Sequence, residues 1–214
     1  MRILSIEKSP RGGKYIISFD DGNEVPVSRE VLIDFGLRKN DEVAADRLEF
    51  LKETQAVHEA YNAAGRLLNY RMRTRAELEQ RLKKKGFQDT VVDNVMQKLS
   101  KLGLIDDVRF ADAFVATKVA SRPVGRRELE RGLRERGVSK GDAERALSHV
   151  SDEETQLNLA LRAAETKLRS LARFEQAKRR DKLISFLARR GFDWDVIKQV
   201  TRRVFEGNED AVDL

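Results

Sequence analysis

Side chains that could carry acid–base or metal chemistry are few and scattered in this sequence. The two histidines, His58 and His149, have no cysteine, serine or carboxylate at the spacing of a catalytic or metal site. Asp106 and Asp107 form the most noticeable acidic pair, at a point where one predicted helix ends and the next begins. A carboxylate of Asp107 there would cap the second helix by accepting amide hydrogen bonds. We therefore predict no enzyme activity, no metal site and no cofactor.

Clusters of basic side chains could instead bind a polyanion. They recur near three predicted helix junctions, with Arg71, Arg73 and Arg75 at the first, Arg122, Arg126 and Arg127 at the second, and Lys178, Arg179, Arg180 and Lys182 at the third. Recurrence at one place in successive units would form a stripe that follows a filament or a phosphate backbone. Alternatively, the arginines hold neighbouring helices together by pairing with carboxylates such as Glu77 or Glu128.

The charge of the chain is unevenly distributed. Residues 1–53 hold 9 basic and 11 acidic side chains, whereas residues 54–205 hold 33 basic and 21 acidic ones, a balance of +12. Residues 206–214 hold four acidic side chains and no basic one. A positive central block favours acidic or polyanionic partners because it accelerates encounter and releases counterions. The same lysines and arginines could also merely solvate helix surfaces.

The composition narrows the class of protein further. Charged residues make up 36% and aromatic residues 7% of the chain, which favours helices over a β-sandwich or barrel. Cysteine is absent, so neither a disulfide nor a thiolate metal site can form. No apolar run reaches the roughly 18 residues of a membrane span, and residues 1–8 lack the apolar stretch of a signal peptide. We expect a cytoplasmic protein without a membrane partner.

Residues 1–53 predict a small β-rich module. Short β-prone runs occur at residues 3–6, 14–19 and 24–27. Asp21 and Gly22 suit a hairpin turn between the second and third runs, and Pro26 indicates that the third is an edge strand. A short helix at residues 29–35 follows, with Gly36 at its C-terminal end.

An internal repeat dominates the rest of the chain. Two leucines four residues apart, followed four residues later by a glycine, occur three times, as Leu78, Leu82 and Gly86, as Leu129, Leu133 and Gly137, and as Leu183, Leu187 and Gly191. Leucines at this spacing share one helix face, and a glycine just beyond them is a typical left-handed helix end. Each motif therefore predicts a buried helix that ends at its glycine.

Further helices flank each motif, so the sequence predicts three tandem three-helix units. Thr74 and Glu77 have the spacing of a capping box at the start of the first motif helix, whereas the third should start near residues 173–175. The predicted segments are a β-rich module at 1–53, repeats at 54–105, 106–151 and 152–205, and a disordered acidic tail at 206–214. Because such short triplets bury apolar surface by stacking on neighbours, we expect a mainly α, elongated and curved array, and a monomer.

These motifs resemble the RecX family of regulatory proteins. The resemblance is carried by Arg71-x-Arg73-Thr74-x-x-Glu77-Leu78-x-x-x-Leu82-x-x-x-Gly86, by Leu99-x-x-x-Gly103-Leu104-Ile105-Asp106-Asp107-x-Arg109-Phe110-Ala111, and by Gly125-x-x-x-Leu129-x-x-x-Leu133-x-x-x-Gly137. It implies a protein of DNA repair, recombination and the SOS response that binds the RecA recombinase and its filament on single-stranded DNA. It also implies that filament growth, ATP hydrolysis and strand exchange are modulated, usually limited. The third unit departs from the motif, with Arg179 and Lys182 in the places of Thr74 and Glu77.

Two rival functions fit the same repeats. A DNA-binding regulator built of helix-turn-helix-like units, without a RecA partner, would bind single-stranded or double-stranded DNA directly. A protein scaffold of helical repeats would show no salt-sensitive affinity for nucleic acid.

Overall fold

A computed structural model of the chain describes residues 1–10 and 12–205. The predicted acidic tail at residues 206–214 lies outside the described residues. The elements are, in chain order, β1 (Ile3–Lys8), β2 (Lys14–Phe19), β3 (Glu24–Ser28), α1 (Arg29–Asp34), α2 (Ala45–Tyr70), α3 (Arg75–Lys83), α4 (Asp89–Lys101), α5 (Asp107–Ser121), α6 (Arg126–Arg134), α7 (Lys140–Ser148), α8 (Glu153–Leu171), α9 (Gln176–Arg189) and α10 (Trp194–Phe205). The mainly helical class with a small N-terminal sheet is thereby confirmed.

The N-terminal sheet has the antiparallel order β1-β2-β3. Its hairpin turn contains Gly22 at φ +85°, a left-handed value that glycine adopts without strain. Pro26 pairs with Ile16 on the edge strand β3, where the missing N–H costs no ladder bond. The three strands, the turn and the edge position of Pro26 are confirmed.

Helix α2 begins at Ala45 rather than near Thr54, so it continues across the predicted boundary at residue 53. Its first turns bury Leu48 and Leu51 in the core that also contains Ile17 and Phe19 of the sheet. This part of the helix therefore covers the β module, while its later turns join the first three-helix unit. The helical periodicity continues along α2 without a break. Only the partner of its apolar face changes, from the sheet to the other helices of the first unit.

The remaining helices form triplets α2–α4, α5–α7 and α8–α10, each around its own apolar core. All six leucines of the repeat are fully buried. The three motif glycines have left-handed φ values of +90°, +74° and +79° at Gly86, Gly137 and Gly191. The leucine faces and the glycine helix ends are confirmed, and the earlier start of the third motif helix is confirmed by the Glu175 N-cap of α9.

The chain divides into two compact units, Met1–Met72 with Leu78–Ile105, and Arg73–Glu77 with the described residues from Asp106 onward. The first turn of α3 thus packs with the second unit, although it belongs by sequence to the first repeat. The predicted segment boundaries stay a prediction. Among the described residues, no helix combines the length and the apolarity that a membrane crossing requires.

Trp194, the one tryptophan of the sequence, is 53% exposed rather than packed in the core of the last repeat. It is the first residue of α10, and Nζ of Lys198 lies 5.8 Å from its ring centroid. A first-turn position carries the ring outside the leucine core, and a cation one turn further along covers one of its faces. Phe110 and Phe192 are buried in the cores of the second and third repeats, and Phe87 of the first repeat is half-buried.

Candidate functional site

The second unit is held together where the start of a motif helix docks on a glycine turn of the next repeat. At the first such junction, the hydroxyl of Thr74 donates a 2.6 Å hydrogen bond to the carbonyl of Arg136. The same hydroxyl accepts the amide of Glu77 at 3.1 Å, as the capping box predicts. A Cβ atom added at Gly137 would lie within 3.0 Å of the Cβ of Ala76. Only glycine therefore permits this close approach.

The second junction repeats the arrangement one unit later. The amide of Gly125 donates to the carbonyl of Arg190 at 2.8 Å, and the amide of Arg127 donates to the carbonyl of Gly191 at 3.1 Å. A Cβ atom added at Gly191 would lie 2.7 Å from the Cβ of Glu128. Orphan N–H groups at a helix start are thus satisfied by the carbonyls of the following repeat.

Asp107 accepts a hydrogen bond at the first junction and does not cap α5, so its predicted role as a helix cap is wrong. The carboxylate of Asp106 caps α5 by accepting the amide of Arg109 at 2.9 Å. Asp107 instead accepts the amide of Arg75 at 2.8 Å, and Gln156 accepts the amide of Arg126 at 3.1 Å in the same way. Burial raises the pKa of Asp107, although the hydrogen bond from Arg75 opposes that rise. The sequence could not reveal this role because the donor lies 32 residues away.

Several of the predicted binding arginines take part in junction contacts. Arg73 is only 9% exposed, with Nη1 at 4.0 Å from Oε2 of Glu77. Nη2 of Arg122 lies 3.7 Å from Oε1 of Glu128, and Nε of Arg127 lies 2.5 Å from Oδ1 of Asp193. Such arginine–carboxylate pairs hold neighbouring helices together, which is the alternative to partner binding given by the sequence.

The other predicted site residues have different surroundings. Arg71 donates to the carbonyl of Met72 at 2.9 Å, and the side chain of Lys178 pairs with Glu175 at 3.6 Å. Arg179 is half-buried, and its Nε atom has no hydrogen-bond partner among the described residues. Arg75 is half-buried, and Arg126 and Arg180 are exposed. The structure therefore does not gather the three predicted basic clusters into one contact network.

A more continuous cationic surface lies along helices α6 and α9 and includes the end of α8 and the turn that follows it. Two adjoining clefts of about 720 and 630 Å³ share Arg189. Their lining contains seven basic and three acidic side chains, the basic ones being Arg127, Arg131, Arg134, Lys167, Arg173, Lys182 and Arg189. We call these seven residues the α6–α9 basic surface. Arg127 and Lys182 belong to the basic clusters singled out from the sequence, and the other five were missed because helices of different repeats combine here.

Arg134, Arg173, Lys182 and Arg189 are exposed cations of this surface for which no ion pair with another described residue is seen; Arg173 and Lys182 lie beside the Phe174 ring, whereas Arg134 and Arg189 have no such aromatic contact. Arg131, by contrast, pairs with Glu128 and with Glu135. Arg134 and Arg189 each lie in the last turn of their helix, where the helix dipole favours a cation. Their guanidinium groups can therefore contact phosphate without first breaking an internal pair.

An aromatic side chain adjoins the same surface. The half-buried Phe174 has the guanidinium of Arg173 at 5.1 Å and Nζ of Lys182 at 4.7 Å from its ring centroid. Basic grooves with an aromatic ring are typical of single-stranded nucleic acid sites, since phosphates pair with the cations and bases stack on the ring.

Three helical triplets, each with its own apolar core, together with a cationic surface define the class of helical-repeat proteins. Family models match all three, namely RecX, first three-helix domain, at residues 60–99, RecX, second three-helix domain, at 106–147, and RecX, third three-helix domain, at 154–201. The chain belongs to the RecX family, whose members are regulatory proteins rather than enzymes.

Individual relatives agree with the family models. A regulatory protein RecX of Chlorobaculum tepidum is 38% identical over 71% of this chain and 91% of the relative. Another, of Leuconostoc mesenteroides, is 28% identical over 100% of this chain and 79% of the relative. A crystal structure of a regulatory protein RecX superposes with a TM-score of 0.72 at 28% identity, covering 93% of this chain and 98% of that one.

Proposed function

We propose that this chain binds the RecA recombinase and its filament on single-stranded DNA, and that it limits filament growth, ATP hydrolysis and strand exchange. Membership of the RecX family supports the partner. The α6–α9 basic surface is the observation that carries the proposal, because a filament on DNA presents a regular array of phosphates. The +12 balance of residues 54–205 favours encounter with such a polyanion.

The junction arginines remain proposed contacts in a secondary role. Arg126 and Arg180 are exposed and available to a partner, whereas Arg73 and Arg127 already hold pairs within the second unit. Charge reversal at Arg127 would place a carboxylate against Asp193 and weaken the junction as well as binding. A loss of function there would therefore not separate the two roles.

Charge reversal at cations that form no ion pair separates partner binding from the stability of the junction. Arg134→Glu combined with Arg189→Glu is expected to weaken inhibition of RecA-driven ATP hydrolysis by about tenfold at moderate salt. Each lost phosphate contact should also reduce the salt dependence of binding by about one unit of slope. Both residues are exposed and unpaired in the described chain, so the melting temperature and the helical content should stay close to those of the parent.

The matched control is Lys8→Glu combined with Lys39→Glu, which reverses two exposed lysines of the β module. This variant changes the net charge equally but lies outside the α6–α9 basic surface, so inhibition should persist. Equal losses in the two variants would show that net charge alone governs the effect. Full inhibition by the Arg134 and Arg189 variant would exclude the α6–α9 basic surface as the contact.

Direct DNA binding without RecA is the second candidate, favoured by Phe174 between its two cations. It predicts that the parent chain binds labelled single-stranded DNA in the absence of RecA, and that Phe174→Ala weakens this by about fivefold or more, as expected for one stacked base. A chain that affects ATP hydrolysis but fails to bind free DNA would leave RecA itself as the partner.

A further inference from the structure

The turn at residues 85–87 of the first repeat is the counterpart of two turns that carry the junctions. Lys85, Gly86 and Phe87 occupy the places that Arg136, Gly137 and Val138 hold in the second repeat and that Arg190, Gly191 and Phe192 hold in the third. In both later repeats a helix start covers this turn with close backbone contacts. A Cβ atom added at Gly86 would meet no described atom within 4 Å.

The space beside the 85–87 turn is large enough for a helix start. A cleft of about 610 Å³ lies between the turn and the β module, and its lining includes Phe87 and the charged side chains Lys14, Glu30, Glu59, Arg66 and Lys85. Lys14 and Glu59 pair with each other, with Nζ at 2.6 Å from Oε1. A second cleft of about 520 Å³ adjoins the other side of Phe87, and its lining includes Gly86 and Val91 together with Glu49, Lys52 and Glu53. Lys52 and Glu49 pair in the same way, at 2.8 Å. Phe87 is half-buried and so offers part of its ring to an incoming chain.

The charge of this turn specifies what fits it. At the first internal junction, Nε of Arg136 lies 3.9 Å from Oε1 of Glu77, the third residue of the docked helix. At the second, Glu128 is likewise the third residue of the docked helix and adjoins the neighbouring Gly191. Burial lowers the pKa of the Arg190 guanidinium and Glu128 opposes that shift. Lys85 stands at the corresponding place and follows Lys83 and Lys84 in the sequence. The occupant should therefore carry a carboxylate in its first helical turn.

The third motif helix of a second copy does not provide such an occupant. Helix α9 begins at Gln176 with Glu175 as its N-cap, so its third residue is Lys178, where the docked helices have Glu77 and Glu128. Docking of the start of α9 on the 85–87 turn would bring Lys178 towards Lys85, and like charges repel. Continuation of the repeats onto a second copy is therefore unfavourable at this turn, which favours a helix of another protein.

We propose that the 85–87 turn is a docking site for the start of an acidic helix of a partner protein, with threonine, serine or glycine at its N-cap and glutamate three residues later. The interaction reproduces the two internal junctions of this chain in an intermolecular form. It uses residues of the first unit and is separate from the α6–α9 basic surface, so it adds a contact to the proposed function.

The test uses two fluorescent peptides, held helical by a side-chain staple in their second half, that begin Thr-Ala-Ala-Glu-Leu or Thr-Ala-Ala-Lys-Leu. Fluorescence anisotropy with the full chain should show the glutamate peptide binding about tenfold more tightly than the lysine peptide, the ratio expected of one charge-assisted pair. Lys85→Glu should reverse that preference, so that the lysine peptide binds more tightly than the glutamate peptide. Lys101→Glu, an exposed lysine at the last residue of α4, is the matched control and should leave the preference unchanged.

Nuclear magnetic resonance locates the peptide independently of charge. The largest amide shifts on addition of the glutamate peptide should fall at residues 85–87 and at Arg66, whose side chain lines the cleft. Equal binding of the two peptides, binding unaffected by Lys85→Glu, or absence of binding at about 1 mM peptide would each overturn the proposal.

Discussion

Leu133→Ala is expected to lower the free energy of unfolding by about 2 to 5 kcal/mol, the range for a buried leucine that leaves a cavity. Leu133 is fully buried in the core of the second repeat together with Leu129 and Val124. Leu82→Ala and Leu187→Ala should have similar effects, because both side chains are also 0% exposed in their own cores. Urea unfolding followed by circular dichroism measures each change through the transition midpoint.

An exposed leucine provides the control for these substitutions. Leu102 is 56% exposed just after α4, so Leu102→Ala should change the free energy of unfolding by less than about 0.5 kcal/mol. A near-zero effect of Leu133→Ala would show that the leucine face is not packed in solution.

Gly191→Ala should destabilise the chain by about 2 to 4 kcal/mol, the sum of backbone strain and steric overlap. Gly191 has φ +79°, and an added Cβ would lie 2.7 Å from the Cβ of Glu128, which is fixed to the backbone of α6. Gly137→Ala should behave alike, since its Cβ would meet that of Ala76. The Cβ atoms of Glu128 and Ala76 cannot rotate away, so the steric overlap is relieved only if the junction opens.

Gly86→Ala separates the two contributions to this loss. Gly86 has φ +90°, but an added Cβ would meet no described atom within 4 Å, so only strain of about 1 kcal/mol is expected. Thermal or urea unfolding of the three alanine variants under one condition compares them directly. Equal losses at Gly86, Gly137 and Gly191 would mean that the junction contacts contribute nothing in solution.

The sequence alone determined the local features of this protein. Leu82 and Gly86 predict a buried helix ending in a left-handed residue because helical periodicity and steric restriction at positive φ depend only on near neighbours. The hairpin at Gly22 and the edge position of Pro26 follow from equally local rules. The longer motifs from Arg71 to Gly86, from Leu99 to Ala111 and from Gly125 to Gly137 carry the resemblance to the RecX family.

Tertiary structure decided how those local elements are used. Asp107 became a junction acceptor because the amide of Arg75 docks against it, and α2 reached back to Ala45 because the sheet offers a surface for Leu48. Arg134 and Arg189 line one cleft although they belong to helices of different repeats. Periodicity shows which face of each helix is buried, but not which exposed faces meet. The α6–α9 basic surface depends on how these exposed faces pack together, and it is therefore visible only in the tertiary structure.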